Sequence, residues 1–213
     1  MIIRFLFRFA LYLAVAIGFS LARADDRVEF FRAVGVDDVR TVKQLLAQGF
    51  DPNTPSEKGQ TPLYVAMREG APRVATELLA HPALKVDAAN AAGETALMMA
   101  ALRGEVGFVA RLLDLGAALE RPGWTALHYA ASGPETRAVA VLIERGAKVD
   151  APSPNRSTAL MMAARYGPES SVNLLLARGA DVRLRNDLGL GAADFARQGG
   201  RDALAERLQK LER

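Results

Sequence analysis

The chain has 213 residues, half of them apolar, which is ample for a buried core and excludes a disordered polymer. Its 27 basic and 24 acidic residues give a formal charge of +3. Arg4, Arg8 and Arg23 fall in residues 1–24, where there is no acid, so the remainder is formally neutral and lacks the basic stripe that nucleic acid requires. Cysteine is absent, which excludes disulfides and thiolate metal ligands.

Residues 1–24 come first in chain order. Met1–Arg8 carries two arginines, Phe9–Phe19 is apolar, and Ala22-Arg23-Ala24 precedes Asp25-Asp26. This is the three-part arrangement of a secretory signal peptide with a small-x-small cleavage site. The uncharged run from Phe9 to Ala22 is shorter than the ~18–20 residues that cross a bilayer. Cleavage is therefore expected after residue 24, leaving residues 25–213 with no membrane span; an uncleaved leader would instead make a membrane-anchored envelope scaffold.

From there the sequence repeats. GQTPLYVAMREG from Gly59, GETALMMAALRG from Gly93, GWTALHYAASG from Gly123 and RSTALMMAARYG from Arg156 align on sight. Their common alanines, Ala66, Ala100, Ala130 and Ala163, extend backwards to Ala33 and forwards to Ala196. Twelve residues after each alanine comes a second landmark: Leu45-Leu46, Leu78-Leu79, Leu112-Leu113, Leu142-Ile143, Leu175-Leu176 and Leu208. Six repeats result, at about 27–54, 55–88, 89–119, 120–150, 151–184 and 185–213.

Each repeat reads as helix, turn, helix, loop. Thr61 is a good N-cap and Pro62 suits the first helical position, where its missing N–H costs nothing. Gly70 is placed to end that helix in the left-handed region, and Pro72 to open the second; Pro134 and Pro168 are placed to repeat the device. Gly49, Gly116, Gly146 and Gly179 end the second helices, while the second repeat turns at His81-Pro82 instead. Gly191 replaces the capping threonine, so a weakened cap is expected in the sixth repeat. Helices this short are marginal alone, so stacking must stabilise them: alanines admit close neighbours and leucines fill the layer behind. The end repeats carry the charge that faces water, Asp26, Arg27, Glu29 and Arg32 in the first and Asp202, Glu206, Arg207, Lys210 and Arg213 in the last.

The pattern G-x-T-P-L-x-x-A, then Leu-Leu, then Gly-Ala-x-Val-Asp, seen at Gly146–Asp150 and largely at Gly179–Val182, resembles the ankyrin repeat. The resemblance runs over about residues 27–211 and implies an all-α ankyrin-repeat solenoid of about six helix-turn-helix units. The chain looks like the exported, periplasmic ankyrin-repeat proteins of Gram-negative bacteria. What this implies is a monomeric protein-protein interaction module that uses the exposed side of the first helices and the loop tips to bind a protein partner. The candidate protein-binding residues carried over by register are Gln60, Glu94, Trp124 and Ser157 before the threonine, and Arg68, Glu69, Leu102, Arg103, Arg165 and Tyr166 near the end of the first helix, where Ser132 also falls. Trp124 can either join a binding wall or fold down over the shortened loop of the fourth repeat. A partner or immunity protein of an envelope enzyme fits this class.

Residues that could support catalysis are few. His128 stands at the family's Thr-x-Leu-His position, where the resemblance implies a brace for the neighbouring loop. His81 lies in a loop. No zinc-binding spacing, serine-nucleophile signature or convincing dinucleotide loop occurs, so no cofactor, metal or catalytic residue is expected. Asp37-Asp38 reads as a pair of solvated turn residues, and Met98, Met99, Met161 and Met162 read mostly as core. A hydrolytic or small-ligand groove built on Trp124, His128, Tyr129 and Arg165 is the competing reading from the enzyme class.

Overall fold

The computed structural model describes residues 25–213; the leader expectation falls outside them. Twelve helices follow one another: α1 (25–35), α2 (Val39–Ala47), α3 (Pro62–Glu69), α4 (Pro72–Ala80), α5 (Ala96–Arg103), α6 (Val106–Asp114), α7 (Ala126–Ser132), α8 (Thr136–Glu144), α9 (Ala159–Tyr166), α10 (Glu169–Ala177), α11 (Ala192–Gln198) and α12 (Asp202–Leu211). They form the six expected pairs of an all-α ankyrin-repeat fold. The chain divides into two compact units, one ending at Leu84 and one spanning Lys85–Arg213. In the first, α3 packs on α4 and α2 on α4. In the second, α5, α7, α9 and α11 stack in order, with α6, α8 and α10 as a parallel layer.

The two sequence landmarks are the core. Ala33, Ala66, Ala100, Ala130, Ala163 and Ala196 are all buried, as are Leu45, Leu78, Leu112, Leu142, Leu175 and Leu208. The second member of each leucine pair is half-buried, except Leu79, which is fully packed. Small alanines permit close helix approach and the leucines occlude the space behind, so no repeat buries its apolar face without a neighbour.

The helix ends follow from local chemistry. Thr61, Thr95 and Thr158 accept from the backbone N–H groups of Tyr64, Met98 and Met161. After α2, α6, α8 and α10, a glycine in the left-handed region lets the next N–H reach back to the buried leucine's carbonyl. Ala147 donates to Leu142 at 3.0 Å, and Phe50, Ala117 and Ala180 do the same to Leu45, Leu112 and Leu175.

Three local expectations are corrected. Pro72 does open α4, but Pro134 precedes the N-cap Glu135 and Pro168 is itself the N-cap of α10. Gly70 is left-handed because Ala71 separates it from Pro72. Gly133 and Gly167 abut their prolines, which push the preceding residue to extended backbone, at φ −83° and −85°. They are glycines for another reason: a Cβ on Gly133 would strike the Leu102 carbonyl, and one on Gly167 that of Ala131. The cap of the sixth repeat is replaced from the other direction, since the Gly191 N–H donates to the Asp194 carboxylate at 2.9 Å. Asp37-Asp38 is not a solvated pair. Asp38 caps α2 through Thr41, whose side-chain and backbone bonds hold its carboxyl below the usual range. The Asp37 carboxylate accepts from Arg73 and from the Val74 N–H, tying the first repeat to the second.

Candidate functional site

Among the described residues, first-helix and loop surfaces form a groove within each unit. That of the second unit is the more apolar. Its floor begins with His128, which is 1% exposed. The Nε2–H donates to the Ser157 carbonyl at 3.0 Å, and Nδ1 accepts from the Thr125 N–H at 3.2 Å, with the Thr125 hydroxyl 2.9 Å away. Burial pushes the imidazole below its ordinary pKa, so the ring is held neutral with both nitrogens engaged. A general base needs a free lone pair within reach of substrate, and His128 has none. The hydrolytic cluster therefore lacks its base, and His128 braces the loop.

Trp124 stands edge-on to that ring, with centroids 5.3 Å apart and planes at 81°. It is half-buried, packing against His128 and lining the groove. Leu102, Tyr129, Ser132, Met162 and Tyr166 complete a groove of about 270 Å³. The Tyr129 hydroxyl donates to Glu94 at 2.9 Å, and the other Glu94 oxygen accepts from Asn90 at 2.8 Å. Ser132 donates to the His128 carbonyl. Tyr166 is 56% exposed and lies under the Arg165 guanidinium, 5.0 Å away. Arg165 also donates to Gln198 at 2.6 Å. The groove thus joins fixed aromatic walls to a half-buried leucine and methionine, the surface composition of an interface centre rather than a reaction site.

The first unit carries a wider groove of about 530 Å³. The apolar side chains of Val28, Phe31, Val36 and Val65 line it, with Arg27, Arg32, Lys58 and Arg68 against Glu57 and Glu69. Arg68 pairs with Glu69 at 2.6 Å and lies over Tyr64. Gln60 also lines this groove.

The sequence candidates therefore divide. Gln60, Arg68 and Glu69 meet in the first unit's groove, and Leu102, Trp124 and Tyr166 in the second's. Glu94 and Arg165 support the second through Tyr129 and Tyr166, and Arg103 is exposed at the end of α5. Ser157 is a correction: it is 1% exposed. Its carbonyl is taken by His128 and the Ser153 N–H, and Asn186 reaches its hydroxyl, so it supports the loop from beneath. Met98, Met99 and Met161 are core as expected, while Met162 faces the groove. Sequence reasoning missed Phe31 and Arg32, because the first repeat lacks the threonine-proline start that sets the register, and Lys58, which lies three residues before Thr61, outside the positions the register carried over. Among the described residues there is no cluster of acids and histidines arranged to hold a metal, and no helix is long and apolar enough to cross a membrane.

Comparison with known proteins agrees with this architecture. The family model described as ankyrin repeats (3 copies) matches residues 30–122 and 118–186. No curated protein sequence matches the chain. Among solved structures, it is similar to a chain of the complex described as the Bd0816 predatory endopeptidase from Bdellovibrio bacteriovorus with immunity protein Bd3460. The identity is 26% and the TM-score 0.72, over 85% of this chain and 97% of that one. With most of its length matched by the family model, the chain belongs to the ankyrin-repeat family.

Proposed function

We propose that this protein is an immunity-type partner of a peptidase, exported to the periplasm, where it acts as a monomer by binding that enzyme through the Trp124 groove. The observation that carries the reading is the groove itself: Trp124 and Tyr166 project over a floor fixed by His128, and no group beside them is placed to act as nucleophile or base. Rigid aromatic side chains contribute large contact area at small entropic cost, which makes them suited to anchoring a protein partner. The partner class comes from the similar solved complex, whose members are named as an endopeptidase and an immunity protein. Of those two roles, only the second needs no active site. Export rests on the leader sequence. A chaperone-like partner of an envelope enzyme is the neighbouring reading, and differs in leaving the bound enzyme active.

The test pairs capture with inhibition. The purified chain is expected to retain a peptidase from envelope extract of its own organism and to slow that enzyme's hydrolysis in a stoichiometric titration. A Trp124→Ala, Tyr166→Ala double variant with unchanged helicity should lose both. Capture of an enzyme that stays fully active would replace immunity with a chaperone-like role. Capture undiminished in the double variant would move the site away from this groove.

A further inference from the structure

The groove of the first unit has a charge pattern that the Trp124 groove lacks. Four cations line it, and two are matched within it: Arg27 lies 3.4 Å from Glu57 and Arg68 lies 2.6 Å from Glu69. Arg32 and Lys58 are exposed and make no ion pair or hydrogen bond among the described residues. The surplus is local. Outside the groove, the same unit's described residues carry seven acids and only three bases. An otherwise acidic unit thus concentrates a surplus of positive charge around an apolar depression, with Arg32 attracting the Asp38 carboxylate without forming an ion pair. Val28 and Val36 on its border are 60% and 64% exposed, among the most exposed large apolar side chains of the described residues.

Resting on the protein-binding reading, we propose that this groove docks an acidic segment of the partner, an extended or loop stretch in which one or two apolar side chains are flanked by carboxylates. The apolar residues would cover Val28, Phe31, Val36 and Val65, and the carboxylates would meet Arg32 and Lys58. Complementary charge suits such a site because it speeds encounter and rejects basic segments. A nucleic-acid strand meets the cations but leaves the apolar walls uncovered, and the acidic remainder of the unit disfavours a polyanion.

The experiment uses random dodecapeptides displayed on phage, selected against the purified full chain, followed by fluorescence anisotropy with the enriched peptides. Enrichment of sequences with acids flanking an apolar core is expected. Their affinity should fall about tenfold in an Arg32→Glu, Lys58→Glu variant, weaken with added salt, and stay unchanged in the Trp124→Ala, Tyr166→Ala variant. Both replaced cations are exposed and unbonded, so the variant should stay folded, and because Arg32 attracts the Asp38 carboxylate an Arg32→Gln, Lys58→Gln variant, which should lose affinity in the same direction, separates charge from folding. Enrichment of basic or uncharged peptides, indifference to the charge reversal, or no enrichment at all would overturn the proposal. Peptides that depend on Trp124 and Tyr166 instead would overturn it while leaving the protein-binding reading in place.

Discussion

The two grooves are built on the same frame and carry different chemistry. In each, the walls come from first helices and a loop tip, positioned by buried alanines and leucines at equivalent repeat positions. Aromatic rings and a methionine dominate the second unit's groove, and valines among guanidinium, ammonium and carboxylate groups line the first unit's. The frame determines where a surface lies; a few side chains that the core does not constrain determine what it can bind. Perturbing the frame should therefore affect both units alike, and perturbing a wall should affect one.

The largest expected effect tests the shared frame. Leu78 and Leu142 are both fully buried, one in each unit, at equivalent positions of α4 and α8. Replacing either with alanine removes the same apolar volume and leaves a cavity, so each should lower unfolding free energy by about 2–5 kcal/mol. Denaturant titration of the two variants gives the comparison. A cost confined to one of them would show that the columns are not equivalent supports.

Next comes a wall of one groove only. His128→Ala deletes the bond to the Ser157 carbonyl and leaves the Thr125 N–H without its buried acceptor, which should cost about 1–3 kcal/mol. Tryptophan fluorescence should shift, since Trp124 is the sole tryptophan and rests on that ring. Peptides bound at the first unit's groove should be unaffected, and a loss there would break the comparison.

The same histidine predicts a pH dependence. Burial lowers its folded-state pKa, so between that value and the unfolded value of about 6.5 the unfolded chain holds more protons. Stability is then fully present above about pH 6.5 and is lost as pH falls through the folded pKa. In the folded state, a proton on Nδ1 would oppose the Thr125 N–H. Melting temperature measured against pH should fall over this range in the wild type and less steeply in His128→Gln. Identical slopes would remove His128 from the acid response.

The fold was legible because it depends on spacing: alanines and leucines recur in register, and each recurrence proved buried. The lining of the second unit's groove was legible where the register reached the surface, as at Trp124, Leu102 and Tyr166. The register misled at Ser157, which occupies the same register position as Trp124 but lies beneath a loop pinned by His128 and Asn186. Such cross-repeat bonds leave no periodic trace. The same holds for Asp37, whose partners lie 36 and 37 residues away; the Asp87 and Asp150 carboxylates do recur, each accepting from a backbone N–H 31 residues on, at Ala118 and Asp181. The first unit's groove was legible at Gln60, Arg68 and Glu69 but not at the residues of α1, which belong to a repeat that departs from the pattern.

The smallest expected effect concerns two residues in the left-handed region. Asp37, at φ 56°, and Arg156, at φ 60°, are the non-glycine residues with positive φ among the described ones. At the loop position of Arg156, the other repeats place Gly59, Gly93, Gly123 and Gly189, all with positive φ. An L side chain there costs on the order of 1 kcal/mol. Asp37 offsets the cost with bonds to Arg73 and Val74, whereas the Arg156 side chain is exposed and makes no hydrogen bond among the described residues. Glycine should therefore act in opposite directions at the two sites. Arg156→Gly is expected to stabilise the chain by about 0.5–1 kcal/mol, less the added freedom of the unfolded chain, and Asp37→Gly to destabilise it through the lost inter-repeat bonds. Parallel urea titrations read both. If Arg156→Gly failed to stabilise, the loop would already accommodate the side chain, and its exposed guanidinium would carry no folding cost that binding has to justify.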